Sequence, residues 1–195
     1  MLLASASPRR RDLLARLGLP FRTAVSAIEE TPLPGESGEA LARRLARTKA
    51  LVIAPAYPDV VVLAADTVVV LDGCPLGKPA DPAEAWTMLR ALRGRSHEVI
   101  TAVCVYVPGR SPLSAALTTC VWMRAYGDDE IAAYVASGEP FDKAGAYAIQ
   151  DPTFRPVARW RGCYTNVVGL PLCLTSALLQ TVGVVPTGSV LVEAP

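Results

Sequence analysis

The chain runs to 195 residues, room for one large domain or one domain in two lobes, and at 51% hydrophobic against 19% charged it excludes a disordered polymer. A formal net charge of +1 supplies no bulk attraction for a polyanion, so nucleic acid is not an expected partner. No apolar run reaches the roughly 18 residues of a membrane helix. The start MLLASASPRRRDLL has its arginines after its short apolar stretch, unlike a secretory leader. Five cysteines without a Cys-x-x-Cys pair read as free buried thiols in a reducing compartment, and the expectation is a soluble cytoplasmic protein.

Residues 1–4 are apolar and predict a short strand. Ser7 as N-cap and Pro8 at the first helical position open a helix that Gly18 closes, with Leu13, Leu14 and Leu17 as its buried stripe. Arg9, Arg10 and Arg11 then fall in the first turn, where the helix dipole disfavours cations unless an anion is bound. Two readings stay open there, a phosphate site and a solvated basic turn. Residues 21–25 predict a second strand, and residues 28–32 a loop with the adjacent carboxylates Glu29 and Glu30. Residues 36–54 carry Leu41, Leu45, Thr48 and Val52 at helical spacing, with Arg43, Arg44, Arg47 and Lys49 on the other sides; a late lysine also suits the dipole by itself.

The stretch over residues 60–79 organises the rest. Residues 60–63 and 68–71 are rich in β-branched side chains and predict two buried strands, separated by a break at Asp66 and Thr67. A carboxylate in that setting has to be hydrogen-bonded, paired or metal-bound. Asp72-Gly73 fits a tight hairpin turn, after which Lys78 returns towards Asp66.

Asp81, Pro82 and Glu84 signal the start of a helix running to about Leu92, with Gly94 beyond it. Residues 96–107 and 114–124 alternate and predict a hairpin through Pro108-Gly109, and the lone histidine, His97, reads as a hydrogen-bond anchor rather than a metal ligand. A short helix over residues 128–137, capped by Asp128, precedes a segment leading into a strand that ends at Gln150. Residues 164–168 predict a further strand, residues 171–181 a last helix, and residues 184–195 a tail. Strand and helix alternate around a hairpin, which predicts an α/β protein with a mixed sheet.

Read in register, LASASPRRRDLL, IEE, Lys49, AADT, GKP, YVASGEPFDKAGAY, Ile149-Gln150 and NVVGLPL resemble the Maf family of nucleoside triphosphate pyrophosphatases. The resemblance implies a single domain over residues 1–195 without a separable linker. It also implies an elongated mixed sheet flanked by helices, and two lobes around a central cleft similar to inosine triphosphate pyrophosphatase. The implied reaction is hydrolysis between the α and β phosphates with a divalent cation, Mg²⁺ or Mn²⁺, and a homodimer is the implied assembly. Site residues carried over are Ser5, Arg9, Arg10, Glu30, Lys49, Asp66, Lys78 and Gln150, with Asp66 as proton acceptor; Thr67 joins them as a substrate contact, and Glu30 and Asp66 are expected to hold or face the metal. The chemistry is consistent with that set. Arginine and lysine offset a triphosphate's charge, and two carboxylates would repel it unless a cation intervened.

Arg9, Thr67 and Gln150 match the subgroup that cleaves dTTP and UTP, whereas an acidic residue stands at the Gln150 position in the 7-methyl-GTP subgroup. An amide offers a donor and an acceptor to the N3–H and O4 of uracil or thymine, and flips to suit cytosine. One departure is the run Asp151-Pro152-Thr153-Phe154-Arg155, where the family commonly has glycines. The rival readings are a non-catalytic nucleotide-sensing regulator of cell division, which would bind without releasing pyrophosphate, and a nucleic-acid binder with steep salt dependence.

Overall fold

The computed structural model describes residues 1–25 and 27–191, so the expected tail is described only as far as Leu191. The strands are β1 (Leu2–Ala4), β2 (Arg22–Ala24), β3 (Val62–Leu71), β4 (Cys74–Leu76), β5 (Ser96–Tyr106), β6 (Leu113–Met123) and β7 (Val157–Arg161). The helices are α1 (Pro8–Ala15), α2 (Gly38–Ile53), α3 (Pro82–Leu92), α4 (Asp128–Ala136), α5 (Tyr164–Val168) and α6 (Leu172–Thr181). The seven strands form one mixed sheet in the order β2-β1-β3-β5-β6-β7, with β4 added to β3. Only the β1–β2 and β1–β3 pairs are parallel.

The period-2 alternation of β3 sorts the core. Val62, Ala64, Val68 and Val70 pack with Leu41, Leu45 and Ile53 of α2 on one face. Leu63 and Ala65 pack on the other face with Leu13 and Leu14 of α1 and Leu172 and Leu179 of α6. Val69 and Leu71 extend that second face into a cluster with Leu89 and Leu92 of α3 and Ile131 and Tyr134 of α4. By the same parity Asp66 points to the α2 side and Thr67 to the α1 side.

Capping follows the sequence signals closely. Ser7 Oγ accepts from Arg10 N, Asp81 Oδ1 accepts from Glu84 N at 2.8 Å, and the β3–β4 turn holds Asp72 at φ 51° and Gly73 at φ 79°, both in the left-handed region. His97 Nε2 lies 2.7 Å from the Tyr147 hydroxyl, the hydrogen-bond role expected of it.

Several expectations are corrected. Residues 62–71 are one strand, not two, because the β5 ladder continues through Asp66↔Ala102 and Thr67↔Thr101; backbone pairing is indifferent to side-chain polarity once the carboxylate has a partner. The buried face of α2 is Leu41, Leu45, Lys49 and Ile53 with alanines between, so Lys49 faces inward while Val52 is 52% exposed. Helix α4 is capped by Gly127, whose N–H donates to Glu130 Oε2, and Asp128 instead pairs with Arg93. No strand leads to Gln150. That segment consists of 3₁₀ turns over Glu139–Asp142 and Ala144–Ala146.

Residues 164–168 form α5 rather than a strand. Asn166 Nδ2 donates to Val99 O and Thr119 Oγ1, and the Thr165 hydroxyl accepts from Leu172 N, which tie the short helix to the sheet despite its β-branched residues. Strand β7, at the sheet edge, was not expected. Of the five thiols, all free, only Cys104 is buried.

Candidate active site

A notch in the sheet creates the site. Strand β1 pairs with β3 only at Leu63 and before it, and β4 joins the same side only from Val69 onward. Residues 64–68 therefore have β5 on one side and, among the described residues, no strand on the other. A cleft of about 730 Å³ opens there, and all nine candidate site residues line it.

The α2 side of the notch holds a chain of charges. Lys49 Nζ donates to Asp66 Oδ1 at 2.5 Å and lies 2.6 Å from Glu30 Oε1, while Lys78 Nζ reaches Glu30 Oε2 at 3.2 Å. Side-chain exposure rises from 9% at Asp66 and 10% at Lys49 to 42% at Glu30 and 55% at Lys78, so the chain runs from the core to the mouth of the cleft. Burial alone would push the Glu30 carboxyl up, but hydrogen bonds and charge from Lys49, then Lys78, outweigh it and hold the group below the ordinary glutamate range.

The α1 side is built around Arg10. Its Nε donates to Gly169 O at 2.8 Å and its Nη2 to Thr67 Oγ1 at 3.0 Å, while Nη1 reaches Ser5 Oγ at 3.5 Å. Burial lowers the Arg10 pKa, and the charge of Asp66 pulls it back in part. Behind this, Thr67 Oγ1 meets Thr101 Oγ1 at 2.9 Å, and Thr101 donates to Asn166 O. Gly169 has φ 119°, and a Cβ there would lie 3.3 Å from Thr67 Oγ1.

Arg9 and Gln150 also line the cleft. Arg9 Nη1 donates to Asp142 Oδ2 at 3.0 Å, and Asp142 Oδ1 accepts from Lys143 Nζ at 2.7 Å. Neither Asp142 nor Lys143 was singled out from the sequence, although both lie in the FDKAG run; charges set between Pro140 and Gly145 were the available signal. Arg44 was also missed. Its Nε and Nη2 grip both Glu36 oxygens at 2.7 Å and Nη2 donates to Thr31 O at 3.0 Å, so it straps the loop that carries Glu30 onto α2. The Arg44 hydrogen bond, with Leu33 N, holds the Glu36 carboxyl down at about 2.

Among the described residues no three His, Cys, Asp or Glu side chains form a metal-holding group. The pair Glu30 and Asp66 nevertheless converge on one cationic position, now held by the Lys49 ammonium. A pair of carboxylates is the protein share expected for Mg²⁺ when phosphate oxygens and waters complete its shell. The donor chemistry fits a divalent cation bound together with a polyphosphate.

The family model described as Maf-like protein matches residues 1–182. A dTTP/UTP pyrophosphatase of Thermomicrobium roseum is 58% identical over 185 residues, covering 94% of this chain and 84% of its own. Enzymes of the same name from Geobacter sulfurreducens and Myxococcus xanthus are each 50% identical, covering 94% of this chain and 96% and 92% of theirs. Among solved structures, the Staphylococcus aureus Ham1 protein overlaps 65% of this chain and 73% of its own at 17% identity and a TM-score of 0.47. A nucleoside-triphosphatase / dITP/XTP pyrophosphatase of Mycobacterium abscessus overlaps 64% and 74% at 18% identity and 0.41. At such partial overlap the fold description rests on this chain's own strand order.

Proposed function

This chain belongs to the Maf family, and from that premise we propose that it is a nucleoside triphosphate pyrophosphatase acting on dTTP and UTP, releasing the monophosphate and pyrophosphate. The observation that carries the reading is the Asp66–Lys49–Glu30–Lys78 chain lining one cleft with Arg10. Positive groups on both walls offset a triphosphate's charge, and a buried carboxylate stands between them.

In this reading water attacks the α-phosphorus, a P–O bond forms to the water oxygen, and the bond to the β-phosphate bridging oxygen breaks. Asp66 takes the water proton. Lys49 donates to Oδ1, which leaves Oδ2 to accept it. Glu30 and Asp66 would hold Mg²⁺ or Mn²⁺, which would neutralise charge on the phosphate oxygens. Arg9, Arg10, Lys49 and Lys78 bind phosphates with Ser5, and Arg9, Thr67 and Gln150 mark the pyrimidine subgroup, with the Gln150 amide pairing with N3–H and O4. The Thr67 hydroxyl also anchors Arg10, accepting from its Nη2.

One catalytic domain spans the chain, working as a homodimer in the cytoplasm, where free thiols persist, with neither nucleic acid nor membrane as a partner. Among the described residues no helix is long and apolar enough to cross a membrane. The test is pyrophosphate release from dTTP, UTP, CTP, GTP and 7-methyl-GTP, with and without Mg²⁺. Release from dTTP and UTP ahead of both purines is expected. Binding without release would instead identify a nucleotide-sensing regulator, and a purine preference would move the chain to the other subgroup.

A further inference from the structure

Beside the cleft lies a second cavity of about 490 Å³, and the two share Arg9, Lys143, Ala148 and Gln150. The division between shared and unshared residues is informative. Arg10, Glu30, Lys49, Asp66, Thr67 and Lys78 line the first cavity alone, whereas Arg9 and the base-reading Gln150 line both. A base held at Gln150 therefore sits at the doorway of a space that the rest of the nucleotide does not need.

The second cavity has its own chemistry. Its floor is apolar, with Phe154 stacked on Tyr134 at a ring-centroid distance of 4.4 Å and Ala133 and Pro152 alongside. Its two cations are already engaged, Arg9 by Asp142 and Lys143 by Asp142 and Glu139. Of its three carboxylates, Glu130 is paired with Arg124 and Glu139 with Lys143. Asp151 is different. Its Oδ1 accepts from the Thr153 and Phe154 amides, and among the described residues it has no cation partner. A carboxylate without a cation, in the same cavity as apolar side chains, matches a short carbon chain that ends in an ammonium group.

Resting on the dTTP/UTP reading, we propose that this second cavity receives a substituent on C5 of the pyrimidine, so that the enzyme accepts uridine triphosphates carrying a C5 aminoalkyl or aminoalkenyl group. C5 adjoins the C4 carbonyl that Gln150 reads, so a group on C5 leaves the ring beside Gln150. Residues 151–154, where this chain departs from the glycines common in its family, form the wall that the group meets.

The test compares UTP, 5-(3-aminoallyl)-UTP and its neutral N-acetyl derivative on wild-type protein and on Ala133→Trp and Asp151→Asn. Wild type is expected to cleave the aminoallyl substrate with kcat/KM within about fivefold of UTP and about tenfold above the acetylated one. Ala133→Trp, which fills the cavity from the exposed side of α4, should lower the aminoallyl substrate at least about tenfold and leave UTP within about twofold. Asp151→Asn keeps the side-chain acceptor for the two amides and should erase the difference between the amine and its acetylated form. An enzyme that cleaves UTP but rejects the aminoallyl substrate by about a hundredfold overturns the proposal, as does an Ala133→Trp loss equal for both substrates. Equal wild-type rates on the amine and the acetylated form overturn the Asp151 assignment. Failure on UTP itself is a separate result that removes the underlying reading and the proposal with it.

Discussion

Lys49 is the side chain on which the electrostatics of the site turn. It is one-tenth exposed and bonded to two carboxylates, so Lys49→Met leaves Asp66 buried without a partner. Unfolding free energy should fall by about 3 kcal/mol, because removing one member of a buried pair strands the other charge. The double variant Lys49→Met/Asp66→Asn should recover most of that stability in urea titrations while remaining inactive, which separates the structural role of the pair from its chemistry. Asp66→Asn alone should lower kcat by about 10²–10³ at saturating Mg²⁺, and near-normal turnover would refute Asp66 as the base. His97 carries a pH dependence that the mechanism does not use. A histidine in the unfolded chain titrates near 6.5, and burial pushes the folded group down to about 4. Between those values the unfolded chain binds the extra proton, so stability is full above about pH 6.5 and falls by up to about 3 kcal/mol as pH drops to about 4. His97→Gln should flatten that slope in denaturation measured across the same range.

At the scale of elements, α2 works from two sides. Its inner face supplies Lys49, and its flank supplies Arg44, which fixes the backbone next to Glu30 through Thr31 O and Glu36. Arg44→Ala should therefore raise amide hydrogen exchange over residues 29–36 and lower kcat about tenfold, with a smaller effect on the thermal midpoint than on activity. Unchanged exchange would show that Lys49 and Lys78 hold the loop without help. The helix also approaches β3 closely at its start. A Cβ on Gly38 would lie 2.3 Å from Val70 Cγ2, so Gly38→Ala should cost about 1–3 kcal/mol in unfolding experiments through forced repacking. The structure adds Ser37 as the cap of this helix, and the local signal that places it, a 3.6-residue period, is readable without the fold. Which of its polar residues faces inward is not, because an aliphatic stem with an ammonium tip sits on a buried face only when a carboxylate meets it there.

Across the whole molecule, the site depends on an interruption in the sheet. Strands β1 and β4 cover the two ends of one side of β3 and leave Asp66 and Thr67 between them, one facing α2 and the other α1. A single strand thus presents a carboxylate to Lys49 and a hydroxyl to Arg10 within one cleft. Removing divalent metal with a chelator should abolish pyrophosphate release and leave the fold intact by circular dichroism, because the buried Lys49–Asp66 pair stays satisfied without it.

What the sequence determined by itself is whatever depends on neighbours a few residues away. The caps at Ser7 and Asp81, the turn at Asp72-Gly73, the alternating hairpin and the ordered set of polar motifs are all of this kind, since their free energies are set within a turn or a ladder step. The tertiary structure alone decided that residues 64–68 form an uninterrupted strand beside a notch, that Tyr164–Val168 coil into a helix held by Asn166 and Thr165, and that Arg44 and Asp142 brace the site. Those outcomes rest on hydrogen bonds and ion pairs between residues far apart in the chain, and such partners exist only after the sheet has brought them together.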